Sequence, residues 1–193
     1  MVTTDEIKKL RDATGVSVMQ CKKALEEASG DIEKAIVILR KIAAAGAGKK
    51  SDRILGAGIT AAYTHAGGQV LGAVVLGCET DFVSRNPEFQ KIAYDIAMHV
   101  AAMQPQFISK DQVKESDIAK AREVFTEEAA QVKEEMRAKV VEGKLESYLK
   151  EKVLLDQPFV KNGEITVRQL IESGVQKFGE KIEVVRMERL SVK

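Results

Sequence analysis

Tryptophan is absent from the 193 residues, and Cys, His and Pro number two, two and three. Two cysteines cannot make a disulfide framework, so a reducing cytoplasm is the expected compartment. Two His with two Cys argue against a zinc site built by the protein itself, and no cofactor-binding pattern stands out. No apolar run approaches the ~18 residues of a membrane span. The polar, acid-containing stretch Met1 to Leu10 is unlike a secretory or mitochondrial leader. An excess of one charge is missing too: 30 Lys+Arg face 29 Asp+Glu, for a net charge of +1. That balance removes the usual electrostatic warrant for binding nucleic acid or a membrane surface. What is present, 45% apolar residues, suits one soluble domain or two small ones.

The pattern along the chain predicts an α+β protein in two parts. Residues 1–45 read as three short helices. Thr3 or Thr4 caps the first, which presents Ile7, Leu10 and Ala13 on one face and stops at Thr14-Gly15. Ser17 and Gln20 have capping-box spacing before a second helix with Val18, Cys21, Ala24, Leu25 and Ala28. Asp31 caps a third, carrying Ala35, Ile36, Leu39 and Ile42 and ending at Gly46. Residues 46–54, Gly-rich and then charged, read as a linker. A core domain over 55–193 follows, opening with a hairpin of strands 58–64 and 69–78. Asn86-Pro87 starts a helix with Phe89, Ile92, Ala93, Ile96, Ala97 and Val100 as its stripe, closed by Pro105. Nearly half of residues 109–153 are charged, with the signs mixed, which predicts an insertion of one or two exposed helices over about 110–152. A loop from Leu154 leads to the capping box Thr166–Gln169 and its helix. A last strand, Lys181 to Leu190, is expected to complete a three-stranded antiparallel sheet, although its alternation is only partial.

Few residues offer chemistry. Gly46–Ser51 resembles a phosphate loop only superficially: that pattern needs Gly at 43 and Ser or Thr at 50, where Ala43 and Lys50 stand, and a preceding strand. Cys21 and Cys78 read as buried structural thiols, with Glu79 and Asp81 expected to raise the Cys78 pKa. His65 and His99 have no neighbouring acid or Cys at ligand spacing and read as core or surface imidazoles. No motif for catalysis marks the scattered carboxylates, so a non-enzyme is expected. Two stretches remain. Thr80-Asp81-Phe82-Val83, between strand and helix, is either a core plug or a projecting contact, and the burial preference of Phe favours the plug. The turn Gly15 to Met19, with Lys22 and Lys23, is either ordinary capping or a docking edge.

Taken together, these stretches resemble the signatures of the bacterial elongation factor Ts family. Leu10 to Leu25 is similar to the first signature, Cys78-Glu79-Thr80-Asp81-Phe82-Val83-Ser84-Arg85-Asn86 to the second, and Leu155 to Val160 to a segment after the helical insertion. Gly77 stands where the family usually has Asn, Val18-Met19 where paired Met is commoner, and Val16-Ser17 where a small Ala-Gly pair is usual. The resemblance implies a compact family member with a three-helix head. The head is also similar to ubiquitin-associated-type (UBA-like) domains, which bind other proteins. It implies a guanine-nucleotide exchange factor whose partner is elongation factor Tu·GDP, and no covalent chemistry. Thr80, Asp81, Phe82 and Val83 would disturb the partner's Mg²⁺ and phosphate site, and Val18, Met19 and Lys22 would dock the head. A nucleic-acid role for the head is disfavoured: residues 1–53 hold 11 Lys+Arg against 8 Asp+Glu, with no interleaved aromatics. From its length the chain is expected to be a homodimer that supplies a missing half by symmetry.

Overall fold

A computed structural model describes residues 2–192. Three helices open it: α1 (Thr4–Thr14), α2 (Val18–Glu27) and α3 (Ile32–Gly48). Thr3 caps α1 reciprocally: its hydroxyl accepts from the Glu6 N–H, and the Glu6 carboxylate accepts from the Thr3 N–H at 2.7 Å. Two donors that the first turn leaves free are thereby satisfied. Ser17 caps α2 by accepting from the Gln20 N–H, half of the expected box. Asp31 caps α3, accepting from Lys34 N–H at 3.0 Å. Leu10, Cys21, Leu25, Ala35 and Leu39 fill a separate small core. The third helix runs past its expected stop at Gly46 to Gly48, so the connection expected at 46–54 begins only at Lys49. The cause is packing: Ala47 rests on the larger core, and tertiary contact overrides the weak helix preference of Gly46 and Gly48.

The larger core is built on a three-stranded antiparallel sheet in the order β1 (Ala57–His65), β2 (Val70–Cys78), β5 (Glu183–Ser191). A 3-10 turn at Ala66–Gly68 closes the β1–β2 hairpin, with Ala57 opposite Cys78 and His65 opposite Val70. In β5 the pairing shifts: Leu76 faces Val184 but Val75 faces Arg186, leaving Val185 as an extra, bulged residue. This bulge is why the last strand alternates imperfectly, since one inserted residue flips the faces on either side of it. α5 (Pro87–Met103), capped by Asn86 with Pro87 at its first position, packs on one face of β1 and β2. Phe89, Ala93, Ile96, Ala97 and Val100 are buried there with Val74, Leu76 and Val184. Gly72 allows this close approach, because a Cβ would stand 2.6 Å from the Ala101 nitrogen. The opposite face of the sheet carries Thr60, Ala62 and Thr64, all exposed, and Leu71, Ala73 and Val75, half-buried.

The insertion is a helical hairpin, α6 (Glu115–Glu128) and α7 (Glu134–Lys152). Its two helices hold one another through a Phe125–Tyr148 edge contact, Lys144–Glu128 at 2.6 Å and an Arg122–Glu142 pair. At its base the Gln106 and Phe107 N–H groups donate to the Lys152 carbonyl. The expected loop after Leu154 contains a small hairpin, β3 (Pro158–Phe159) and β4 (Asn162–Thr166). α8 (Val167–Phe178) then starts at the predicted box, with both Thr166–Gln169 bonds present, and lies against α3.

Of the two histidines, His99 is the core one. It is fully buried on α5, receiving the Val160 N–H at Nδ1 (3.1 Å) and donating from Nε2 to Gln157 Oε1 (2.7 Å). Gln157 in turn donates to the Glu151 and Met103 carbonyls, at 2.6 and 3.3 Å. This network ties the helical hairpin and the small β-hairpin to the body. Burial holds the His99 pKa below the ordinary imidazole value, and a proton on Nδ1 would oppose the Val160 N–H. The folded pKa is therefore below the unfolded one, so this stability is complete above about pH 6.5 and is lost as pH falls beneath it. Urea midpoints should be flat above about pH 7 and fall as pH drops below about 6.5; in His99→Leu that fall should be absent.

Candidate functional site

The segment between β2 and α5 forms a single helical turn, α4 (Asp81–Ser84). Its residues divide sharply. Val83 is 3% exposed and plugs the core, whereas Phe82 is 81% exposed and stands clear of the surface. The expected core plug is therefore Val83, one residue along, because a helical turn sends adjacent side chains in directions about 100° apart. Asp81 is exposed beside Phe82 and pairs with Arg85 at 3.0 Å on the surface.

Thr80 anchors this turn with every polar group it has. Its hydroxyl accepts from the Val83 N–H and donates to Glu180 Oε1 at 2.6 Å. Its N–H donates to Glu180 Oε2 at 3.0 Å, an oxygen that also accepts from the Glu79 N–H at 3.0 Å. Its carbonyl accepts from the Cys78 thiol at 3.2 Å. Running the other way, Glu79 Oε1 accepts from the Lys181 N–H at 2.5 Å and pairs with Arg53 at 3.1 Å. That backbone bond is the main reason the Glu79 carboxyl is held below the usual range, with Arg53 assisting. Lys181 Nζ also reaches the Ser51 carbonyl at 2.7 Å, so the α3–β1 connection joins the same junction. None of Glu180, Lys181 or Arg53 was legible as a site residue. They lie some 100 and 26 positions from residues 79 and 80, and no local pattern links them.

Both cysteines are buried, as expected. The Cys78 thiol is pushed up mainly by burial and next by Glu180, with Glu79 contributing less; the anticipated Asp81 contribution is replaced by Glu180. His65 is exposed at the end of β1, stacked on Tyr63. Among the described residues no group of three or more His, Cys, Asp or Glu could hold a metal ion, and no helix is long and apolar enough to cross a membrane.

The second exposed feature lies on the head. Val18 and Met19, at the start of α2, are 48% and 63% exposed, beside a buried Val16. Lys22, one turn on, is exposed and pairs with Glu26 at 3.8 Å. Lys177 of α8 bridges the end of α1 and the start of α5: its side chain lies over Gly15, and its ammonium pairs with Glu88 in the first turn of α5. Gly15, at φ 68, ends α1 and leaves room for that lysine. A 380 Å³ cleft between α1, α3 and α8 is lined by Val16, Ile36, Leu39, Arg40, Glu172 and Gln176, and by neither the Val18-Met19 pair nor the Thr80–Val83 turn.

An exposed Phe beside an exposed Asp on a rigidly held turn, and an exposed Val-Met pair with Lys on a helix start, are the features of a protein that docks on another protein. The family model for "Elongation factor TS" matches residues 3–193. The chain is 43% identical to elongation factor Ts of Carboxydothermus hydrogenoformans, over all of this chain and 89% of that protein. It is also 43% identical to that of Thermosipho melanesiensis, over all of this chain and 99% of that protein. The chain belongs to the elongation factor Ts family, proteins of translation elongation.

Proposed function

We propose that this chain is a cytoplasmic guanine-nucleotide exchange factor that binds elongation factor Tu·GDP and loosens its Mg²⁺ and phosphate contacts. The exposure of Phe82 on an anchored turn is the observation that carries this reading. An aromatic ring wedges between packed side chains at little entropy cost to itself, and Asp81 beside it brings a negative charge toward a Mg²⁺ ion and its phosphates. Thr80 and Val83 hold the turn. Residues 1–45 serve as the docking domain, with Val18, Met19 and Lys22 on the same partner, and 55–193 as the core domain with the 110–152 insertion. Each ~1.4 kcal/mol by which the grip on Mg²⁺ and phosphate weakens lowers GDP affinity tenfold. The coupling is reciprocal, so nucleotide rebinding expels the factor. The chain itself supplies no covalent chemistry and needs no cofactor, nucleic acid or membrane.

The test is GDP release from elongation factor Tu with Mg²⁺ present and with Mg²⁺ chelated. The factor's acceleration should be clearly smaller after chelation, since part of its work is then already done. An acceleration that chelation leaves unchanged would mean that Mg²⁺ displacement is not the route.

The homodimer is part of the same reading. It is supported by the uncovered sheet face, where Val185 and Leu190 add exposed apolar surface and Arg186 and Glu188 stand side by side. A face with small apolar residues and one charge of each sign is self-complementary, as a two-fold interface requires. Sedimentation at micromolar concentration should give the mass of two chains, and Leu190→Lys should reduce it to one.

A further inference from the structure

We infer that Glu180 is a positioning residue for exchange: its single carboxylate clamps the base of the Thr80–Val83 turn and aims Phe82. This rests on the function proposed above and adds to it a residue outside both signature stretches. Glu180 follows the left-handed Gly179 that ends α8, at a corner where the chain reverses into β5. From there its two oxygens take three bonds: the Glu79 and Thr80 N–H groups on Oε2, both at 3.0 Å, and the Thr80 hydroxyl on Oε1 at 2.6 Å. Bonds to an ionised acceptor are about twice as strong as neutral ones, and three from neighbouring donors fix orientation as well as distance. The clamp is returned one residue later, where the Lys181 N–H donates to Glu79. Two consecutive residues of one segment thus grip two consecutive residues of the other.

The consequence for Phe82 follows from what else holds it. Its ring is exposed and the neighbouring Asp81 carboxylate pairs outward with Arg85, so the ring takes its direction from the backbone of the turn. Val83 anchors the far side by burial, and Glu180 anchors the near side. Without the carboxylate the near side is left with the Cys78 thiol bond to the Thr80 carbonyl and the Lys181 bond to Glu79, neither of which fixes the Thr80 N–H or hydroxyl, and the turn pivots about Val83. A wedge must meet its target in one orientation, and misplacement of about 1 Å is enough to cost on the order of a hundredfold. The head is untouched by such a pivot. Maximal exchange rate should therefore fall while the concentration for half-maximal exchange holds.

The experiment compares the full-length wild type with Glu180→Ala, Glu180→Gln and Phe82→Ala. Three readouts are taken: GDP release from elongation factor Tu as kcat and KM, thermal midpoint, and hydrogen exchange at the Glu79 and Thr80 amides. Glu180→Ala should lower kcat by about tenfold to a hundredfold with KM within about twofold. It should also speed exchange at both amides. Glu180→Gln should recover much of kcat, because its amide oxygen still accepts from both N–H groups and its NH₂ donates to the Thr80 hydroxyl. Amides that stay protected in Glu180→Ala would overturn the clamp whatever the activity. So would a Glu180→Ala that matches wild type in kcat while Phe82→Ala is slow, or a loss of kcat in both Glu180 variants that only tracks a lowered midpoint. A Phe82→Ala as fast as wild type would instead remove the wedge, and with it the purpose assigned to Glu180.

Discussion

Phe82→Ala should abolish most exchange activity and leave the free protein as stable as before. The two halves of that expectation have one cause. At 81% exposure the ring makes almost no contact within its own chain, so truncating it opens no cavity and should change folding stability by no more than about 0.5 kcal/mol. In a complex the same ring would be an aromatic anchor surrounded by the partner. Truncating such an anchor costs about 2 kcal/mol or more, which is roughly thirtyfold in kcat/KM. Val83→Ala should show the reverse pattern. Val83 is buried in the main core beneath the turn, so its truncation should lower stability first and activity only through it. Measuring kcat/KM and the urea midpoint for both variants separates a ring that acts on a partner from a neighbour that holds the turn.

Gly72→Val should be the most damaging single change to the fold. Gly72 lies in β2, the central strand, and α5 crosses directly above it. An added Cβ would collide with the Ala97 carbonyl oxygen and stand 2.6 Å from the Ala101 nitrogen, both of them backbone atoms that cannot rotate away. The helix would have to lift from the sheet, loosening Ala93, Ala97 and Val100 from Val74 and Leu76. A decrease of about 3 kcal/mol, the upper end of ordinary overpacking costs, is the expected result by urea denaturation. Exchange activity should fall as well, because α5 begins at Pro87, three residues after the turn that carries Phe82, and its displacement moves that turn.

Local chemistry made much of this architecture readable. The Thr166–Gln169 box, the Asn86-Pro87 start and the β1–β2 hairpin lie where their residues predict, because each is decided by neighbours a few positions apart. The end of α3 and the β3–β4 hairpin were not readable, because contact with distant segments decided them: Ala47 on the main core, and Val160 on His99. The site followed the same division. Thr80 to Val83 and Val18-Met19 stood out as exposed candidates with their resemblance to known signatures, whereas Glu180 and Arg53 act across the fold and left no local mark. The preference of Phe for the interior pointed the wrong way at Phe82, and an exposed aromatic on a rigid turn is informative for that reason.

The most direct test is the rate at which labelled GDP leaves elongation factor Tu when this chain is added. Acceleration by orders of magnitude at catalytic amounts of the chain, lost in Phe82→Ala, is the expected result. Release at the spontaneous rate, with the folded wild-type chain in excess over the GDP-bound partner, would contradict the exchange function.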